Sequence, residues 1–218
     1  MEQLLTTNVA TNLYWFGRHL ERVETTLKDT IALFDLIIDT DKEAGKAYFA
    51  RLGIPLEYAN ASHFLHGAIF GGHAANLYTV MQYVRENVII CRSQIDTEAF
   101  GEVIKLNELF EHAAEGPRAI DYRFFDQALS LINEIWGALS CGMDRRLSDH
   151  FIQLGKLVEK SDLNLRHGRD EEVTHSYIKE IIYTVKQLAP DAEVILDPTD
   201  QAASLVTLNG LIGKVVTE

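Results

Sequence analysis

Apolar residues recur at the spacing of an α-helix along almost the whole chain, strand-like alternation is scarce, and only four prolines interrupt it. The pattern predicts an all-α protein. A long first helix is expected from about Asn8 to Asp39, because Leu13, Phe16, Leu20, Val23, Leu27, Ile31 and Phe34 fall on one side of a 3.6-residue period. The polar run Thr40 to Gly45 ends it. A short helix is expected around Ala47 to Leu52, broken at Gly53-Ile54-Pro55, and another from Glu57 to Phe70, stopped by Gly71-Gly72. Leu77, Val80, Met81, Val84, Val88, Cys91 and Ile95 then form a narrow stripe, and Asp96-Thr97-Glu98 opens a helix to about Ala114.

Gly116-Pro117 separates this half from one of the same style. Helices are predicted from Asp121 to Ser140, from Asp144 to His167 with Leu147, Phe151, Leu154, Val158 and Leu165 as the apolar face, and from Asp170 to Leu188. Glu193 to Pro198 reads as brief and extended, followed by an apolar helix from about Gln201 to Val216. These elements make a multi-helix up-down bundle, and its last helix caps the core or a partner subunit.

The stretch Phe16-Gly17-Arg18-His19-Leu20-Glu21-Arg22-Val23-Glu24, closing with Leu27-Lys28, is echoed by Leu154-Gly155-Lys156-Leu157-Val158-Glu159-Lys160-Ser161-Asp162, closing with Leu165-Arg166, in which an apolar residue, Gly, a cation, an apolar residue, Glu, a cation and an acid recur in register. The repeat at one constant offset predicts a pseudo-twofold bundle. Tyr14, Arg18, Glu21, Arg22 and Thr25 share one side of their helix, roughly opposite its apolar stripe, and Lys156, Glu159 and Lys160 do the same on theirs. Arg18 with Arg22, and Lys156 with Lys160, are like charges four apart, which costs a few tenths of a kcal/mol in an isolated helix. Glu21 and Glu159 partly offset this. Glu24 with Lys28 and Asp162 with Arg166 are favourable i,i+4 pairs that read as surface stitching. Two readings follow. Both faces are solvated or form inter-helix salt bridges that fix bundle register; or they converge to line a polar cleft where arginines grip a carboxylate or phosphate and a glutamate orients an amine. Arg85 and Arg92 flank the Leu77 stripe and reach a groove between helices or snorkel to solvent; Asn87 projects from the other flank.

Length and charge narrow the classes. The 218 residues fit a single domain over 1–218, and no Pro/Ser-rich linker divides them. Twenty Lys+Arg against 32 Asp+Glu give a formal charge of −12, which repels nucleic acid and anionic membranes. Cys91 and Cys141 lack metal-ligand spacing and read as reduced, buried thiols of a cytoplasmic protein. The N-terminal residues have no basic n-region, and no apolar run approaches the ~20 residues of a membrane helix.

Leu13-Tyr14-Trp15-Phe16-Gly17-Arg18-His19-Leu20-Glu21-Arg22-Val23-Glu24 resembles the signature of the bacterial alpha-E family, met as YW-x-GR-x-xERAE. Tyr83-Val84-Arg85-Glu86-Asn87 with Arg92-Ser93-Gln94-Ile95 resembles that family's central ARENAR…R-x-x-I helix, and Phe151 to Asp162 its later FLxLGRxLERAD copy. The match spans residues 5 to about 167. Lys156 and Lys160 stand where arginines are usual, and lysine lacks the bidentate fork. The resemblance implies a helical fold, a circularly permuted ATP-grasp protein as partner, and a role in ATP-dependent amide or peptide-bond formation. The substrate-binding candidates are then Arg18, Glu21, Arg22, Arg85, Asn87, Arg92, Lys156, Glu159 and Lys160, with an amino-acid- or peptide-like ligand. The competing reading is a non-catalytic module that self-associates or docks a partner through its C-terminal helix.

Other constellations are weaker. His63, His66 and His73 have neighbouring angles on one helix, as a zinc site needs, but Gly67 and Gly71-Gly72 interrupt it; no metal is expected. Glu172-Val173-Thr174-His175 is a single Glu-x-x-His where a di-iron bundle uses two. Cys141 near His150 lacks an orienting third group and reads as core or helix boundary. No Gly-x-x-x-x-Gly-Lys loop is present, so no nucleotide cofactor is expected on this chain.

Overall fold

The first apolar stripe forms one helix, α1 (Thr7–Asp39), in which Leu13, Phe16, Leu20, Val23 and Leu27 are wholly buried. The computed structural model describes residues 5–116, 120–140, 146–197 and 200–216. The elements that follow are α2 (Ala44–Arg51), α3 (Ala61–Phe70), α4 (Leu77–Ile90), a 3-10 turn (Arg92–Gln94), α5 (Thr97–Glu115), α6 (Tyr122–Ser140), α7 (Leu147–His167), α8 (Glu171–Leu188) and α9 (Gln201–Val215). Among the described residues there is no strand, and the fold is an all-α helical bundle.

Local chemistry explains most boundaries. Asn60 accepts from His63 N at 2.9 Å, so α3 starts at Ala61 and not at Glu57. Asp170 accepts from Glu172 N and Val173 N and starts α8. α7 ends where Gly168 turns left-handed (φ 61°), and the two helices it separates pack on each other. The Leu77 stripe does not run as a single helix to Ile95. α4 stops at Ile90 and the 3-10 turn follows, yet Cys91 and Ile95 stay buried. Of the expected start of α7, Asp144 lies outside the described residues, as does Cys141.

Contacts group the chain into two compact units. The first is Met1–Glu21, Asn87–Ile95 and Cys141–Glu218, where α7 packs on α8 and α9. The second is Arg22–Glu86 and Asp96–Ser140, where α5 packs on α6.

In the first unit α1 and α7 meet at glycine. A Cβ on Gly17 would overlap the Ile152 carbonyl and sit 3.1 Å from Lys156 N. A Cβ on Gly155 would overlap the Tyr14 carbonyl and sit 3.0 Å from Arg18 N. Each glycine thus faces the backbone three residues before, and one residue after, the other. This approach makes the polar side of α1 an inter-helix face and not a solvated one: Tyr14, Arg18 and Glu21 are at most 2% exposed. The helix is buried on two sides because its second side receives α7.

Gly17→Ala or Gly155→Ala is therefore expected to cost about 2–4 kcal/mol, since backbone and not a flexible side chain must move. Gly210→Ala in α9, where an added Cβ meets nothing, should be neutral or stabilising by up to about 1 kcal/mol. Denaturant midpoints of the three variants check the contrast.

Candidate functional site

The glycine crossing decides where the doubled motif's charges go. The cation after each glycine lies opposite the glutamate four residues after the other glycine. Arg18 Nε donates to Glu159 Oε2 at 2.8 Å, with side chains 3% and 0% exposed. Lys156 Nζ lies 4.0 Å from Glu21 Oε2. The lysine makes the looser half of the crossing. Asp162 joins from α7, 4.0 Å from Arg18 Nη2, and accepts two bonds from Arg166, at 2.6 Å from Nε and 3.3 Å from Nη2. Arg18, Lys156 and Arg166 thus meet the carboxylates of Glu159, Glu21 and Asp162 along the crossing. The Asp162–Arg166 pair forms as expected, but Asp162 is only 1% exposed, so it is no surface stitch. In the second unit the equivalent Glu24 holds Lys28 at 2.5 Å and also accepts from Trp136 Nε1 at 2.7 Å.

Electrostatics follow from burial. Desolvation works against the Arg18 charge, but Glu159, Tyr14 and Asp162 outweigh it and hold the guanidinium protonated above its ordinary value. Desolvation pushes the Tyr14 hydroxyl upward against the pull of Arg18. That hydroxyl is buried beside the Arg18 guanidinium. The Arg18 guanidinium lies 5.1 Å from the Trp15 ring centroid and 5.9 Å from that of Tyr14.

Beside this cluster runs a chain of amides. Asn12 Nδ2 donates to the Asn8 carbonyl at 2.8 Å, which turns Asn12 Oδ1 toward Asn87 Nδ2, 2.9 Å away. Asn87 Oδ1 then faces His19 Nδ1 at 3.0 Å. An amide oxygen can only accept, so this order assigns the proton to Nδ1 and leaves Nε2 as the ring's acceptor. His19 also stacks on Trp15, centroids 5.3 Å apart at 26°.

The structure thus brings Arg18, Glu21, Lys156 and Glu159 together, with Arg18, Glu21 and Glu159 buried. Lys160 is engaged instead by Tyr177 of α8, its Nζ 5.4 Å from the ring centroid. Asn87 belongs to the amide chain, and Arg92 is exposed on the 3-10 turn. Arg22 and Arg85 are half-buried in the second unit. Sequence reasoning missed His19, Asn12 and Trp15 as a group, although Asn8, Asn12, Trp15 and His19 follow i, i+4, i+7, i+11 spacing along one side of α1.

Among the described residues no three His, Cys, Asp or Glu are arranged to hold a metal ion. His63 and His66 are exposed, and His73 Nε2 bonds the Gly67 carbonyl at 3.0 Å. His175 Nδ1 bonds the Glu171 carbonyl within its own helix. Burial pushes the Cys91 thiol up to about 12, and it donates to the Val9 carbonyl at 3.5 Å. No helix of the described residues is long and apolar enough to cross a membrane.

Removing one partner of a buried pair strands the other, so Arg18→Met alone should cost about 3–5 kcal/mol while the Arg18→Met/Glu159→Leu double variant recovers most of it. Urea unfolding of both variants tests this. Nitrogen-15 NMR of the His19 ring should report the Nδ1–H tautomer in the neutral protein and a mixture in Asn87→Ala.

Comparison with curated proteins and with solved structures finds no match. Residues 5–182 match the family described as a predicted alpha-helical domain with a conserved ER motif, whose Glu-Arg pair is here Glu21-Arg22. With most of its length matched, this chain belongs to the alpha-E family.

Proposed function

We propose that this chain is the helical, non-nucleotide-binding component of an ATP-dependent amide- or peptide-bond-forming system in the bacterial cytoplasm. An ATP-grasp-type protein is its partner, and the ligand is amino-acid- or peptide-like. Membership of the alpha-E family supports the partnership, and the lack of a Gly-x-x-x-x-Gly-Lys loop supports leaving the nucleotide to the partner. Within that role the Gly-cation-x-x-Glu motifs build the frame of the binding surface. One observation carries this division: Arg18 and Glu159 bond at 2.8 Å with side chains 3% and 0% exposed. A grip on substrate would have to break that pair. Ligand contact falls instead to Asn87, Arg92, Lys156 and Lys160 of the first unit, none of them buried.

The second reading is a self-associating structural module. It draws on α9 and the segment before it, where Val206 is 74% and Ile195 81% exposed.

The test starts with the ATP-grasp protein that co-purifies with the tagged chain. Arg92→Ala and Lys160→Ala should reduce ATP-dependent product formation by the pair about tenfold or more at unchanged melting temperature. Arg18→Met should lower the melting temperature first. Recovery of the chain alone, as a discrete oligomer that Val206→Asp dissociates, would favour the structural module.

A further inference from the structure

The second unit holds an apolar cavity of about 180 Å³, partly open to solvent, whose walls use neither motif nor charge cluster. Ile31 and Phe34 of α1, Leu65 of α3, and Ile120, Tyr122 and Phe125 at the start of α6 line it. Leu65 and Phe125 form its floor, at 4% and 2% exposure. Tyr122 is half-exposed, yet its position is held from two directions. Its hydroxyl donates to Asp35 Oδ1 at 2.5 Å, and its ring stands edge-on to Phe34, centroids 6.0 Å apart at 78°. A side chain so tethered keeps an aromatic wall in place before any ligand arrives.

Size and polarity specify the occupant. An apolar cavity of roughly 150 Å³ lined by Leu, Ile and Phe stays dry and binds benzene or xenon. The charged residue among the described walls, Asp121, turns its carboxylate to the backbone, accepting from Arg123 N at 3.1 Å and Phe124 N at 3.2 Å. The cavity therefore offers dispersion and aromatic edges, and the charges beside it, Asp121 and the Asp35 that holds Tyr122, are acidic and supply no counter-charge for an anion. We propose that it is a binding site for one small neutral aromatic ring, either a free molecule or the side chain of a peptide. The site stands on this geometry and is independent of the ligase reading.

The experiment follows Ile and Leu methyl signals of the full chain during titration with toluene, N-acetylphenylalanine amide and phenylacetate. Saturable shifts centred on Ile31, Leu65 and Ile120 are expected with at least one neutral ring, and binding at least about tenfold weaker with phenylacetate, whose carboxylate meets apolar walls and the like charges of Asp35 and Asp121. Saturation by the phenylalanine amide assigns a peptide side chain; saturation by toluene alone assigns a free aromatic molecule. Ile31→Phe fills the space and should abolish the shifts, and Tyr122→Ala, at an exposed position, should weaken binding about tenfold or more without loss of fold. Absence of saturation up to the solubility limit, shifts scattered over the chain, binding of phenylacetate equal to that of toluene, or unchanged binding in both variants would overturn the site.

Discussion

Close approach of two helix backbones is the constraint from which the first unit's chemistry follows. Gly17 and Gly155 each occupy a point where any side chain would collide with the opposite main chain. Glycine inside a helix is unfavourable by roughly 1 kcal/mol against alanine, so the crossing must return more than that in packing and in paired charge. The proximity buries what surrounds it. Arg18 and Glu159 reach each other because the axes are near, and they are dry for the same reason. An ion pair desolvated in this way is weak as a source of net stability but strict about geometry, since a slip along either helix leaves unpaired charge in a low-dielectric setting. Register, more than stability, is what the motif supplies.

The doubled motif also has an internal asymmetry. One half of the crossing carries arginine, whose planar fork bonds Glu159 directly; the other carries lysine, whose ammonium stands 4.0 Å from Glu21. Arginine presents several donors in a rigid plane, whereas lysine is a point charge on a flexible stem. The partly exposed Lys156 tolerates a loose contact in a way that the dry Arg18 position does not.

The helices themselves were legible because their apolar period, capping residues and glycine stops act locally. α5, α6, α8 and α9 begin and end within a residue or two of where Asp96, Asp121, Asp170 and Gln201 place them. The side of α1 that carries Arg18 was legible only in part, because solvation and inter-helix salt bridges were both open for it. Charges on the face opposite an apolar stripe look solvated on a helical wheel, and only the isolated Gly17 hinted that a second backbone would cover them. Asp162 misled in the same way, since an i,i+4 partner reads alike at the surface and at the edge of a buried cluster. The amide chain lay beyond reach for another reason. It joins Asn12 and His19 to Asn87, a long-range pairing that local periodicity cannot announce. The grouping of Arg22 and Arg85 into the second unit, apart from Arg18, was equally invisible along the chain.

The chain has two tryptophans, and each sits against charged groups of a different unit. Trp15 lies between the stacked His19 ring and the Arg18 guanidinium, whereas Trp136 donates its indole N–H to the Glu24 carboxylate. Intrinsic fluorescence is therefore divided by the fold itself. Replacing either indole with phenylalanine leaves an optical signal that belongs to one unit, so the unfolding of each half can be watched without attaching a dye.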